Sequence, residues 1–272
     1  MIRLEGVRKS YRGPGEVLAG IDLELAPGRP VAVVGTNGSG KSTLLRIVAG
    51  CSAPSAGAVT GRPPVVGFLP GQFPASTRMP AGAYLRRMAA VHGVPDADTT
   101  SLLEELGFTG VLGAPVSQLS TGNAQKVGLT QALSCRPALL VLDEPWTALD
   151  VRAAAALDHR LAAEAARGAM IIVTDHGGRA DGLPGALVMR MAAGVLTADV
   201  MAGRRDPGHS VIELRCPGAP ADALRGLPPV GESWFGPGRL TVRVPADRGD
   251  ALLAAALAGG CSVLGVWRES AS

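Results

Sequence analysis

The chain has 272 residues, of which 47% are hydrophobic and 18% charged, and its net charge is +3. This length fits one large domain followed by a small one, and the apolar content is enough for a core in each. No uncharged apolar stretch reaches the roughly 18 residues that a membrane helix needs, and no basic start leads into an apolar signal segment. With so little excess charge we expect no nucleic-acid partner. We expect a cytoplasmic protein that meets a membrane only through another chain.

Cysteine and lysine are used sparingly. Only three of the 26 basic residues are lysines, and one of them, Lys41, lies inside a glycine-rich loop, which indicates a chemical demand there. The four cysteines show no CxxC and no paired spacing, so we expect reduced, small hydrophobic residues at Cys51, Cys135, Cys216 and Cys261.

Strands and helices alternate over the first 200 residues. Two strands joined by a turn at 13–15 are followed by a short, β-branched apolar run over 30–34, which is typical of a buried strand. Alternation of this kind predicts an α/β fold with a mostly parallel sheet, an antiparallel N-terminal part and a helical insert over about 80–135. The predicted strands cover 2–7, 17–25, 30–34, 65–69, 138–142 and 169–174, and the predicted helices begin after Gly40 and cover 81–91, 98–106, 122–134 and 151–167.

A polar segment with glycine and proline over 201–210 predicts a linker between two domains. Beyond it, the order strand-helix-strand-strand-helix-strand predicts a small α+β domain of ferredoxin-like type over 211–272. Because so short a segment buries little surface by itself, we expect it to pack against the main domain or a partner. Its predicted elements cover 211–216, 221–227, 232–235, 239–244, 249–258 and 262–268.

The glycine-rich loop Gly35–Ser42 matches the pattern G-x-x-x-x-G-K-[ST], with a strand before it and a helix after it. The backbone amides of such a loop and the N-terminus of the following helix bind phosphate oxygens. Lys41 is expected to reach the β- and γ-phosphates, and the Ser42 hydroxyl to ligate Mg²⁺. The pattern therefore predicts a P-loop NTPase whose ATP site includes Gly35, Asn37, Gly38, Ser39, Gly40, Lys41, Ser42 and Thr43.

Two acidic residues, Asp143 and Glu144, directly follow the apolar strand predicted over 138–142. Ligands of open α/β sheets bind at the carboxyl ends of the strands. Asp143 fits a second Mg²⁺ ligand, and Glu144 can orient or deprotonate the attacking water. Two acids after a strand can also be a helix cap, but the phosphate loop about 100 residues upstream favours catalysis.

With these motifs, residues 1 to about 200 resemble the ATP-binding subunit of a bacterial ABC transporter. In that family a third motif, usually Leu-Ser-Gly-Gly-Gln, opens a helix; here the residues are Leu119–Asn123, with Thr121 for the first glycine and Asn123 for glutamine. The resemblance implies a head-to-tail dimer in which Ser120 and Gly122 contact the nucleotide held by the phosphate loop of the other subunit.

The resemblance also implies roles for single residues elsewhere. Tyr11 is expected to stack on adenine, although a packed surface tyrosine is the alternative. Gln72 resembles the glutamine that contacts Mg²⁺ or water, and its register stays open because many family members lack a residue like Gly71. His176 resembles the switch histidine that contacts the γ-phosphate. The loop 147–150 resembles the dimer-contacting loop, and we expect Trp146 beside it to pack.

The function implied by the resemblance is an ATP-hydrolysing motor. It would act as a homodimer or with a paralogous ATPase subunit, bind ATP and Mg²⁺, and power a separate integral membrane permease from the inner face of the cell membrane. The C-terminal extension and the aromatic Trp146 resemble ATPases of exporters, so we expect export. The alternatives are a soluble ABC ATPase that acts on ribosomes or DNA and a regulatory module without turnover. No Asn-Lys-x-Asp motif supports a GTPase.

Overall fold

The computed structural model describes residues 1–11, 15–71, 73, 77–175, 179–198, 209–216, 232–236, 238–245 and 248–269. The chain divides into two units, Met1–Val200 and Met201–Ser272. Among the described residues, every helix is too short or too polar to cross a membrane.

The N-terminal antiparallel sheet has the strand order β2-β1-β4, and its strands are β1 (Ile2–Ser10), β2 (Glu16–Leu25) and β4 (Ala56–Thr60). Ile2, Leu4 and Val7 of β1 are buried, while Arg3 and Glu5 point to solvent. The sequence predicted β1 and β2 but not β4. Four of the five residues of β4 are exposed and two are alanines, so only its pairing with β1 makes it a strand.

The central sheet has six strands in the order β5-β6-β7-β3-β8-β9, parallel except for β9. Every residue of β3, β6 and β7 is buried, as expected of strands covered on both faces. This sheet confirms the predicted α/β class. The strands are β3 (Val31–Val34), β5 (Val66–Leu69), β6 (Leu139–Leu142), β7 (Met170–Asp175), β8 (Leu187–Ala192) and β9 (Val195–Ala198).

Strands β8 and β9 were not predicted, although most of their residues are apolar. They form a hairpin whose two-residue turn, Ala193–Gly194, has positive φ at both positions (46° and 76°). This is the backbone of the turn that matches strand twist. Alanine is an uncommon choice for such a turn, and this explains why the sequence did not reveal the hairpin.

The helices of the first unit are α1 (Lys41–Val48), α2 (Ala81–Val91), α3 (Thr99–Glu105), α4 (Thr121–Ser134) and α5 (Val151–Ala166). Leu44, Leu45 and Ile47 of α1 belong to the main core between the two sheets. Helices α2, α3 and α4 share a smaller core that includes Leu85, Leu103 and Val127. A short 3₁₀ helix, Val116–Gln118, lies directly before α4.

The second unit contains a four-stranded antiparallel sheet in the order β11-β12-β10-β13 and a helix, α6 (Gly249–Ala258). Ile212, Leu214, Leu240 and Val242 form its core with Leu252 of α6. This order agrees with the predicted ferredoxin-like class; the predicted helix over 221–227 lies outside the described residues. The strands are β10 (His209–Arg215), β11 (Glu232–Gly236), β12 (Arg239–Pro245) and β13 (Ser262–Glu269).

Candidate nucleotide site

The carboxyl ends of three neighbouring strands hold the main candidate residues. Strand β7 lies between β6 and β3 in the central sheet. The glycine-rich loop follows β3, Thr174 and Asp175 end β7, and Asp143 follows β6. Because the three strands are parallel, all three groups lie at one edge of the sheet.

The glycines of the loop are required by close backbone contacts. A Cβ at Gly35 would lie 2.3 Å from the Met191 carbonyl oxygen, and a Cβ at Gly40 would lie 2.8 Å from that of Val17. Gly38 and Gly40 also have φ values of 78° and 107°, which other residues rarely adopt. The loop can therefore take this shape only with glycine at these positions.

Lys41, the first residue of α1, is 5% exposed. Its Nζ donates to the carbonyl oxygens of Gly35 (2.7 Å) and Thr36 (3.0 Å). Burial lowers the pKa of Lys41, and the nearby carboxylates of Glu144 and Asp143 partly oppose this effect. The lysine therefore lies in the electrostatic field of both acids.

The Ser39 hydroxyl is the second polar group inside the loop. Ser39 is buried, and its Oγ has no hydrogen-bond partner among the described residues. Buried hydroxyls are normally paired. A phosphate oxygen in the loop would supply the missing partner, so the loop fits a nucleotide polyphosphate.

Asp143 and Glu144 are held by one side chain of the neighbouring strand. Asp143 is 3% exposed, and its Oδ1 accepts a 2.6 Å hydrogen bond from the Thr174 hydroxyl. The backbone N–H of Glu144 donates to the same Thr174 oxygen at 2.9 Å. Glu144 has a φ of 52°, a left-handed backbone that is uncommon for a non-glycine residue.

The third motif begins a helix, as the resemblance implies. Ser120 is the N-cap of α4, and its Oγ accepts from the Asn123 N–H at 3.3 Å. The Asn123 side chain also accepts from the Thr109 N–H at 3.2 Å, so it links the start of α4 to the helical insert. A Cβ at Gly122 would lie 2.8 Å from the Ala148 carbonyl oxygen, so glycine lets α4 approach the loop after Glu144.

The loop between Glu144 and α5 is tied to two helices. Gln125 of α4 donates to the Glu144 and Pro145 carbonyl oxygens at 3.3 and 3.2 Å. Trp146 is buried, and its indole N–H donates to Asp158 of α5 at 2.7 Å. Asp150 caps α5 by accepting from the Ala153 N–H. This bond, followed by one from Lys126, holds the pKa of Asp150 below its usual value.

For three of the predicted site residues, the described part of the structure gives no contact with the glycine-rich loop or with the two acids. Gln72 and His176 lie outside the described residues. Tyr11 is 50% exposed, and the Lys9 ammonium lies 5.1 Å from its ring centroid. The adenine contact of Tyr11 therefore stays a prediction.

Sequence reasoning missed Thr174, Gln125 and Asp158. Each contacts a residue of another element, and the two residues are 31, 19 and 12 positions apart in the chain, respectively. The only signal for Thr174 was a hydroxyl at the end of an otherwise apolar buried strand, and threonine is common in strands.

A magnesium ion would find few protein ligands here. Among the described residues, no three or more His, Cys, Asp or Glu side chains are grouped so that they could hold a metal ion. A hydroxyl, one carboxylate and phosphate oxygens are the usual Mg²⁺ ligands in such sites. Ser42 and Asp143 fit that sparse ligand set.

Comparison with known proteins identifies relatives of the first unit. Residues 18–147 match the family model described as ABC transporter. The zinc import ATP-binding protein ZnuC of Pseudomonas entomophila (strain L48) is 41% identical over 152 residues, which cover 56% of this chain and 58% of that protein. The same protein of Pseudomonas fluorescens (strain Pf-5) is 39% identical over 158 residues, 58% of this chain and 60% of its own.

The chain thus spans less than two thirds of the length of these relatives. Their names state import, so the expected exporter type is not supported. The match gives no reason to read the C-terminal extension or Trp146 as marks of export.

Solved structures show the same fold at low identity. An ATP-binding subunit of an ABC transporter has a TM-score of 0.66 and 23% identity, covering 73% of this chain and 90% of its own. A dimeric bacterial ABC transporter cassette has a TM-score of 0.64 and 22% identity, covering 72% and 96%. The first unit therefore has the P-loop ATPase fold of ABC transporters, and residues 18–147 carry the sequence pattern of that family.

Proposed function

We propose that the chain is an ATP-hydrolysing subunit that dimerises around ATP and powers a separate membrane permease. One observation carries the proposal: Lys41, Asp143 and Glu144 lie at the same edge of the central sheet, where the parallel strands end, beside a loop whose close backbone contacts require glycine. Phosphoryl transfer to water needs positioning and charge neutralisation, and these residue types supply both.

In this proposal the loop amides and the N-terminus of α1 bind the phosphates. Lys41 exchanges its bonds to the Gly35 and Thr36 carbonyl oxygens for bonds to the β- and γ-phosphates. Ser42 and Asp143 would hold Mg²⁺, and the ion would neutralise charge on the phosphates. Glu144 orients the attacking water and accepts its proton. Gln72 is assigned to the metal or water, and His176 to the γ-phosphate.

The second half of each site comes from another ATPase subunit, either an identical copy or a paralogue. Ser120 and Gly122 at the start of α4 face the nucleotide held by the other subunit. The start of a 14-residue helix offers backbone N–H groups to an anion. Close packing of Gly122 on Ala148 links this surface to the loop that follows Glu144.

The relatives support a transport role over the soluble alternative. Proteins named zinc import ATP-binding proteins match 56–58% of the chain. Their names favour import as the direction. The cargo would be chosen by the permease, and the subunit would work peripherally on the inner face of the membrane.

Two measurements test this proposal. Purified protein should bind and hydrolyse ATP only with Mg²⁺; absence of magnesium-dependent affinity for adenine nucleotides would exclude the proposed site. An integral membrane protein should co-purify with the chain from its own cells. A ribosomal or DNA partner in its place would favour the soluble alternative.

A further inference from the structure

The hydroxyl of Thr174 lies between the two acids of the proposed site. Thr174 is in β7, the strand between the one that precedes the phosphate loop and the one that precedes Asp143. Its side chain is fully buried. The position therefore brings one polar group to the middle of the three strand ends.

This hydroxyl uses its O–H donor and one of its acceptor lone pairs. It donates to Asp143 Oδ1 at 2.6 Å and accepts from the Glu144 N–H at 2.9 Å. A hydroxyl offers one donor and two acceptor lone pairs. Because the site is buried, water cannot easily replace either bond, so the loss of the hydroxyl would remove one hydrogen bond from each acidic residue.

The bond to Asp143 distinguishes its two carboxylate oxygens. Oδ1 points to Thr174, whereas a Cβ on Gly71 would lie 2.9 Å from Oδ2. Oδ2 therefore faces the loop that contains Gly71. A carboxylate fixed in this way presents one defined oxygen for a metal or its water.

The bond to Glu144 stabilises an unusual backbone. Glu144 has a φ of 52°, and the next loop residues include Ala148 with a φ of 61°. Such residues persist only where surrounding contacts hold them. Gln125 binds the Glu144 carbonyl oxygen from one side, and Thr174 binds its N–H from the other.

We propose that Thr174 is a positioning residue for ATP hydrolysis: its hydroxyl orients the metal-binding carboxylate of Asp143 and the backbone of the catalytic Glu144 together. The inference rests on the proposed ATPase function. It assigns Thr174 to the chemical step, because the phosphate loop that binds ATP is formed by other residues.

The test compares Thr174→Val, which keeps the shape and removes the hydroxyl, with Thr174→Ser, which keeps the hydroxyl. We expect kcat to fall roughly 10–100-fold in the valine variant, as for the loss of a group that orients a metal ligand. KM for ATP should change less than about threefold, because the residues that bind ATP in the ground state are unchanged. The half-saturating Mg²⁺ concentration should rise, and the serine variant should recover kcat to within about threefold of the wild type.

A matched control is Thr130→Val. Thr130 is also fully buried, but its hydroxyl has no hydrogen-bond partner among the described residues. This variant should keep the wild-type kcat and Mg²⁺ dependence. Should Thr174→Val fail to fold, as judged by circular dichroism, Thr174→Ala is measured in its place.

The outcomes separate the two proposals. A wild-type protein without magnesium-dependent ATPase activity would refute the proposed function. If the wild type is active and the Thr174→Val variant is equally active, the role of the hydroxyl is refuted and the proposed function stands. The same holds if the serine variant is as slow as the valine variant.

Discussion

Single residues at the site are constrained by backbone geometry as much as by their chemistry. Glu144 combines a left-handed backbone with hydrogen bonds at both its N–H and its carbonyl oxygen. These bonds do not depend on the charge of its side chain. Replacement of the carboxylate by an amide should therefore change the chemistry and leave the fold intact.

Glu144→Gln is expected to abolish steady-state hydrolysis, because an amide cannot accept the proton of the attacking water. Binding of Mg²⁺-ATP should remain, so ATP-dependent dimerisation should be visible by size-exclusion chromatography. Undiminished turnover in this variant would remove Glu144 from the mechanism.

Cys216 illustrates how burial sets the reactivity of a residue. Of the four cysteines expected to be reduced, small hydrophobic residues, Cys51 is exposed and the other three are buried. Burial, followed by the neighbouring Cys261 thiol, raises the pKa of Cys216 from 9.0 to about 12. Folding therefore favours the neutral thiol. The resulting stability is present below about pH 9 and is lost as the pH rises towards about 12.

At pH 8 we expect iodoacetamide to modify Cys51 rapidly and Cys216 very slowly, because the thiolate is the reactive form. Unfolding in urea should remove the difference between the two. Peptide mass spectrometry gives the rates, and Cys51→Ser should eliminate the fast phase. Equal native rates at both positions would contradict the assigned burial.

At the scale of elements, α4 closely approaches the loop after Glu144. The contact is possible because Gly122 has no side chain. Gln125, on the next turn of α4, makes the bonds to the Glu144 and Pro145 carbonyl oxygens. These contacts join the first turns of α4 to the loop after Glu144.

Gly122→Ala should force these elements apart, since its Cβ would lie 2.8 Å from the Ala148 carbonyl oxygen. We expect about 1–3 kcal/mol lower stability in urea unfolding and weaker ATP-dependent dimerisation. Gly113→Ala is the matched control, because a Cβ there meets nothing within 4 Å. Equal stability of the two variants would show that the close contact at Gly122 does not affect the free energy of unfolding.

At the scale of the whole molecule, the two units have separate cores. The main core of the first unit joins its two sheets through α1, and the second unit has its own cluster around Ile212 and Leu240. All described residues of the proposed nucleotide site lie in the first unit.

A chain ending at residue 198 should therefore fold and bind Mg²⁺-ATP with an affinity close to that of the full chain. Circular dichroism and fluorescent ATP-analogue titration measure both properties. Loss of binding in a folded truncated chain would assign part of the site to residues 199–272.

The sequence alone predicts the glycine-rich loop, the position of Asp143 and Glu144 after a buried strand, and most helices and central strands. These features depend on local patterns, namely the glycine-rich loop, apolar runs and helix periodicity. That β4 and the β8-β9 hairpin are strands follows only from the three-dimensional structure. The residues of β4 have low strand propensity and the β8-β9 turn contains an uncommon alanine, so these strands form through pairing with their neighbours. The three-dimensional structure also shows that Thr174 joins both acids, since β6 and β7 are adjacent in the sheet although Thr174 and Asp143 are 31 residues apart in the chain.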